Sequence, residues 1–325
     1  MKITGIIAAG LFTAAALFTN AQAQDASSYP DKQVRIVVGS SPGGTADTVS
    51  RLVAEKLSEK FGQSFFVENM PGSGGALAST FLAKAEPDGY TLQFAFISSH
   101  AILPHLNKNL EYDPIADFAP ISLVSYSPNL LLANPEFGVK TVDELVAKLK
   151  ADPGKYDFGS GGVGGSHHLS SELFLQATGT QAVHIPYPGS GKLLAALLSN
   201  EVPFAFDTMT TAVPHVEAGS LVALAISSKE RSPLMPDVPA VAESFPGFEV
   251  IAWNGFLAPA GTPAAILDKL SAAIAEYLKS DEGQEYFKRL GTTAVGSTPQ
   301  EFADFIKADH AKFGKVVEEA NITLQ

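Results

Sequence analysis

The chain has 325 residues, 46% hydrophobic and 17% charged, with a formal net charge of −12. That length allows one large or two medium domains of ~100–200 residues each, with real cores. The absence of cysteine rules out disulfides, thiolate metal sites and a cysteine nucleophile, and the acidic balance argues against nucleic acid or anionic membranes as partners.

The N-terminus reads as a targeting segment. Lys2 supplies a positive start, residues 3–18 are an apolar run, and Ala21-Gln22-Ala23 follows as a cleavage site. Export with cleavage after Ala23 is expected, with residues 1–23 removed and no lipid anchor. No later stretch approaches ~20 uninterrupted apolar residues, so the mature chain is expected to be soluble.

Val34, Ile36, Val37 and Val38 predict a buried strand, ended by the turn residues Gly39-Ser40-Ser41-Pro42-Gly43-Gly44. Val49, Leu52, Val53 and Leu57 then fall at helical spacing. A glycine turn feeding a helix leaves N–H groups without partners, in a place the helix dipole makes favourable for an anion. A strand over 65–68, a turn over 71–75, a helix to Ala85 and a strand over 91–97 ending at Ser98-Ser99-His100 continue the pattern. This β-α-β-α-β order predicts a parallel sheet, whose ligands bind at the carboxyl ends of strands, where 39–45, 71–75 and 98–100 all lie.

Residues 121–133 are strand-like but broken by Pro128, where the chain is expected to leave the first domain. A helix over 141–150 carries Thr141 and Glu144 as a capping box. The glycine turn 159–166 leads into a helix over 168–178, and a strand over 184–187 leads through Pro188-Gly189-Ser190-Gly191 into a helix over 192–199. Strands over 203–207 and 221–227 complete a second block of the same design. A proline-rich connector over 232–247 and a strand over 250–257 bring the chain back. Helices follow, one beginning at Thr262-Pro263, one over 282–290 and one over 298–320 with Thr298 and Glu301 as a capping box. The expectation is two α/β lobes with two crossings and a cleft between them. Lobe I takes 24–125 and 251–325, lobe II takes 126–250.

Several motifs carry competing chemistry. Gly39-Ser40-Ser41-Pro42-Gly43 matches the nucleophile elbow of hydrolases. The elbow's oxyanion hole needs the N–H of the residue after the serine, and Pro42 has none; acyl transfer would lose ~3–4 kcal/mol of transition-state stabilisation. Gly159, Gly161 and Gly164 match a dinucleotide fingerprint, but no acid stands between Glu172 and Glu201 to hold a ribose, so a carboxylate-binding turn fits better. His167 and His168 point about 100° apart on a helix and cannot chelate as an i, i+4 pair would. One is expected to cap the glycine turn or face the cleft and the other to pack. Asp207 reads either as a turn-capping acid or as a cleft acceptor for a ligand hydroxyl, amine or protonated carboxyl. Asp47 is explained by the helix dipole.

Taken together, PGGTAD at 42–47, VENMPGSGG at 67–75, AEPDGYTL at 85–92, HAILPHL at 100–106, YDPIADFAPISLV at 112–124 and HIPYPGSG at 184–191 resemble the periplasmic solute receptors of tripartite tricarboxylate transporters, the Bug receptors. The glycine turn with His167-His168-Leu169, the run over 221–250 and GFLAPAGTP at 255–263 extend the likeness over nearly the whole mature chain. The resemblance implies a two-lobed Venus-flytrap fold of the type II periplasmic-binding class, no catalysis, no cofactor and no metal. It implies a monomer in the periplasm that binds a small carboxylate and passes it to the integral-membrane subunits of its transporter. Carried over by position, lobe I offers Ser41, Gly43, Gly44, Thr45 and Ala46, with Ser98, Ser99 and His100. Lobe II offers Ser160, Gly162, Gly164, Ser166 and His167, with Tyr187 and Asp207. Where the family often has an aromatic residue and a second proline, this chain has Ser40 and Ser41; Asn254 and Pro188 replace a common Tyr and Lys. These changes make the pocket roomier or more polar, and make Ser40 and Ser41 determinants of which ligand fits. The alternatives are an exported hydrolase using Ser40 or Ser41, and a ligand sensor for a signalling partner.

Overall fold

The computed structural model describes residues 27–43 and 45–319; the expected signal segment with its expected cleavage point at Ala23, and Gly44, lie outside the described residues. The apolar run 34–38 forms β1 (Val34–Val38), in which Val34, Ile36, Val37 and Val38 are fully buried. Each such side chain contributes roughly 1.5–3 kcal/mol by leaving water, which favours a strand covered by neighbours on both sides. The chain then forms α1 (Thr45–Phe61), β2 (Phe65–Asn69), α2 (Ala76–Ala83) and β3 (Thr91–Phe96). Both β2 and β3 pair with β1 in parallel, as the alternation predicts. A wide helical turn, Ser98–Ile102, runs straight into the short α3 (Leu103–Leu106).

β4 (Phe118–Ala133) is a continuous strand of 16 residues, so Pro128 does not break it. A proline lacks an N–H to give to a ladder, and Pro128 sits where the strand changes partners. Residues 118–128 pair antiparallel with β9 (Ile251–Pro259), and from Asn129 the partner is β7 (Phe204–Thr208). Between these come α4 (Val142–Ala151), β5 (Asp157–Ser160), α5 (Ser166–Thr178), β6 (Val183–Pro186) and α6 (Ser190–Leu198). After β7 come α7 (Met209–Glu217), β8 (Val222–Ile226) and, inside the proline-rich connector, α8 (Val241–Ser244). The parallel set β6-β5-β7 repeats the design of β2-β1-β3.

The chain closes with α9 (Ala264–Leu278), α10 (Asp281–Arg289), β10 (Thr293–Ala294) and α11 (Pro299–Glu319). Strand order runs β2-β1-β3-β9-β4-β7-β5-β6, with β8 and β10 also on β4. The result is a two-lobed α/β fold of the type II periplasmic-binding class, in which β4 runs through both halves and β9 brings the chain back beside β3 and the first part of β4.

Three apolar clusters hold it. One packs α1 and α9 on β1 and β3, through Val49, Val53, Phe94, Phe256 and Leu270. Another packs α6 and α7 on Leu130 and Leu132 of β4. The third is continuous through both lobes and includes Phe158, Phe174, Phe206, Trp253 and Phe302. In it Trp253 lies edge-on to Phe302 and Phe305 of α11, and its indole N–H donates to Asp309 at 2.7 Å.

Candidate ligand-binding site

In lobe I, the turn after β1 is held by an acid three positions into α1. Asp47 is buried, and its Oδ2 accepts the Gly43 N–H at 2.9 Å. Its Oδ1 accepts from Asn69 Nδ2 at 2.9 Å and from Arg51 Nε at 3.0 Å. Asn69 Nδ2 also donates to the Ser40 carbonyl at 3.0 Å, tying the ends of β1 and β2 together. Burial pushes the Asp47 carboxyl up, but bonds from Arg51, Gly43 and Asn69 outweigh it and hold it below its ordinary value. Gly43 thus gives its N–H to its own chain in this structure.

What lobe I leaves free are the first-turn N–H groups of Thr45 and Ala46, which have no acceptor inside the helix, and the serine hydroxyls. Ser40 Oγ is buried without a partner, and Ser41 is exposed. No histidine hydrogen-bonds either hydroxyl among the described residues, so neither is set up as a nucleophile.

The other lobe I turns crowd against this one. A Cβ on Gly39 would lie 2.6 Å from Gly75 Cα, and one on Gly75 would lie 3.3 Å from Ser99 Cβ. Within 98–100 the roles divide. Ser98 is partly exposed, whereas Ser99 and His100 are buried. His100 packs on Phe118 and Tyr112, with Nδ1 at 2.9 Å from Ser99 Oγ. The cause is α11, whose His310 Nδ1 donates to the His100 carbonyl at 3.2 Å and holds this turn inward. Ser99 and His100 are thus buried in this structure.

In lobe II, both histidines cap the glycine turn. His167 Nδ1 accepts the Gly161 N–H at 3.3 Å, and His168 Nδ1 accepts the Gly164 N–H at 3.2 Å. Each ring therefore carries its proton on Nε2. That of His167 faces Asp207 Oδ1 at 3.3 Å, and that of His168 faces Glu172 at 3.4 Å. Burial holds the His167 pKa down, against the pull of Asp207. Ser160 Oγ is shared between His184 Nε2 at 2.7 Å and the Gly162 backbone, from which it accepts an N–H at 3.1 Å.

Asp207 has no exposed surface. It accepts from Ser190 Oγ at 2.7 Å, from the Thr208 N–H at 2.9 Å and from Thr211 Oγ1 at 3.0 Å. These bonds are those of the capping reading: Asp207 joins the starts of α6 and α7 and faces His167. Tyr187 is engaged within its own lobe. Its hydroxyl donates to Glu201 at 2.9 Å, and its ring packs under α6 beside Gly159. Gly164, too, has its N–H taken. Lobe II then presents the first-turn N–H groups of Ser166 and His167 and the Ser166 hydroxyl.

The two halves meet through α3: Leu103 lies against Gly74 in the lobe I turn, and Leu103 and Leu106 against Gly164 in the lobe II turn. Each lobe places helix starts next to these turns, α1 in one and α5 with α6 in the other, and each start favours negative charge. A separate hollow of about 830 Å³, lined by residues such as Tyr126, Arg231, Lys288 and Thr293, lies away from these turns and mixes both charge signs. No group of three His, Asp or Glu among the described residues could hold a metal ion. None of their helices is long and apolar enough to cross a membrane.

The network Asp47–Arg51–Asn69 was not anticipated as a unit. The i, i+4 spacing of Asp47 and Arg51 is a sequence signal for a pair, but Asn69 reaches it only because β2 lies beside β1.

A two-lobed fold whose strand ends converge on helix N-termini is that of a solute-binding receptor. Residues 49–322 match the family model "tripartite tricarboxylate transporter family receptor". The protein BugT of Bordetella pertussis is 34% identical over 328 residues, covering 100% of both chains. A structure of an R. palustris protein with adipate aligns with TM-score 0.83 and 34% identity, over 91% of this chain and 99% of the other. MatC from Rhodopseudomonas palustris with bound malate aligns with TM-score 0.79 and 33% identity, over 89% and 100%. The chain belongs to the tripartite tricarboxylate transporter receptor family. It is a binding protein of the periplasmic type and not an enzyme.

Proposed function

We propose that the protein captures a small carboxylate between its lobes and delivers it to the membrane subunits of a tripartite tricarboxylate-type transporter, acting as a monomer in the periplasm after cleavage behind Ala23. The observation that carries this is a helix start in each lobe, α1 with Thr45 and Ala46 and α5 with Ser166 and His167, joined by the contact of Leu103 and Leu106 between the glycine turns. Hydrogen bonds to a charged group contribute ~1.5–3 kcal/mol each, so four or five offset desolvating a carboxylate without an arginine. The net charge of −12 repels an anion, but that repulsion is screened beyond ~8–10 Å and does not forbid the site. The bound adipate and malate of the two related structures support the ligand class. Lobe borders near residues 126 and 250 fit the change of strand partners at Pro128 and Asn129.

Thermal-shift screening against di-, tri-, aromatic and amino-acid carboxylates tests this. A ligand at a hundred times its Kd should add ~2.7 kcal/mol of stability. A neutral sugar that raises the melting point where no carboxylate does would overturn the proposal.

A further inference from the structure

The stretch 103–106 fits into three places where glycine stands instead of a side chain. A Cβ on Gly74 would lie 2.8 Å from Leu103 Cδ1, one on Gly314 2.8 Å from His105 Cε1, and one on Gly164 2.9 Å from Leu106 Cδ1. Packed interiors leave no slack for such overlaps, so a larger residue at any of them must displace a neighbour. Gly74 and Gly314 belong to the same lobe as α3 and fix it there. Gly164 belongs to the other lobe, and Leu103 Cδ2 and Ile102 Cγ2 also face it, at 3.7 and 3.9 Å from the same built Cβ. Leu103 therefore touches the glycine turns of both lobes, and Leu106 bears directly on the turn that leads into α5.

We propose that Leu106 and Gly164 form the stop that sets how far the lobes close, and so are positioning residues for ligand capture. The inference rests on the receptor reading above. Lobes joined through β4 and β9 turn relative to each other about those strands, and the cross-cleft contact decides how stable the closed form is. A ligand held by both lobes binds in proportion to the population that can close. The bare Cα of Gly164 lets the lobe II turn come down on Leu106 until Ser166 and His167 oppose Thr45 and Ala46. A methyl group there acts as a wedge.

The test uses Gly164→Ala, Leu106→Ala and their combination in the full chain. Binding of adipate and malate is measured by calorimetry, and amide hydrogen exchange is followed in the ligand-free proteins. Gly164→Ala is expected to weaken binding about tenfold or more, and the double variant to recover most of that loss, because the wedge then has nothing to meet. Gly164 also has φ +73°, a conformation that strains alanine. That strain is independent of Leu106, so a double variant as weak as Gly164→Ala overturns the proposal. Leu106→Ala is expected to speed exchange at residues 161–166 on the opposite lobe; unchanged exchange there also overturns it. Should the wild-type protein bind no carboxylate, the receptor reading fails by itself, and exchange at 161–166 still decides the contact.

Discussion

His184 stacks on His168, at 3.9 Å, and lies near-parallel to Phe158, at 5.0 Å, while His100 is enclosed by Phe118 and Tyr112. Burial pushes both rings down from 6.5 to about 3, helped by His168 beside the first and His310 beside the second. In the unfolded chain these groups take up protons near their ordinary pKa, and in the folded chain they do not. The stability gained by keeping them neutral is therefore complete above about pH 6.5 and is lost as pH falls toward about 3. Replacing His184 with Gln should flatten the fall of urea-unfolding stability across that window. An unchanged slope would mean that His184 titrates in the fold as it does in water. At this scale the sequence was only partly informative. The pair His167-His168 was legible as a turn cap, but one ring was expected to pack, and instead both accept glycine N–H groups. Tyr187 and Asp207 were legible as strand-end residues. That Glu201 and Ser190 engage their polar atoms follows from packing of α6 on β5 and β7, which no local pattern encodes.

Among the elements, α11 shows local chemistry doing what its sequence says. Thr298 Oγ1 accepts the Glu301 N–H at 3.2 Å, and Glu301 accepts the Thr298 N–H at 2.8 Å, a reciprocal capping box. Thr298→Ala should lower stability by ~0.5–2 kcal/mol, read from the urea midpoint; no change would mean the helix start is held by tertiary contacts alone. The box at Thr141 is looser, since Glu144 accepts from Lys140 instead of from Thr141 itself. The helix α7 went unrecognised because Thr210, Thr211 and Pro214 are poor helix formers. It exists because Met209 and Ala212 are buried against the lobe II core and Thr211 donates to Asp207. Tertiary burial overrode propensity.

For the whole molecule, Trp253 joins the returning strand β9 to α11 and is 1% exposed. As the single tryptophan, it is a reporter of the core and not of the cleft. Its emission should be blue-shifted in the native protein, remain so when a carboxylate binds, and move to the red only on unfolding. Quenching by a bound aromatic carboxylate would show instead that the cleft reaches the indole. The same residue explains why the lobes share a core cluster: β4 and β9 carry apolar side chains through the crossing, and α11 covers them from Phe302 to Val317.

The sequence by itself determined the class of this protein. Periodicity and glycine turns repeat a strand–turn–helix unit in two blocks, and such units can bury their apolar strands only in parallel sheets with the turns at one edge. It also argued against a hydrolase, since Pro42 removes the donor an oxyanion hole needs and cysteine is absent. Only the tertiary structure decided which N–H groups remain for a ligand. Asp47, His167 and His168 each satisfy a glycine N–H of their own turn, because a buried donor without a partner is costly and the nearest acceptor takes it. The place where one lobe meets the other, Leu106 on Gly164, was likewise beyond reach of the sequence, since it joins residues that only the folding of both lobes around β4 and β9 brings within contact.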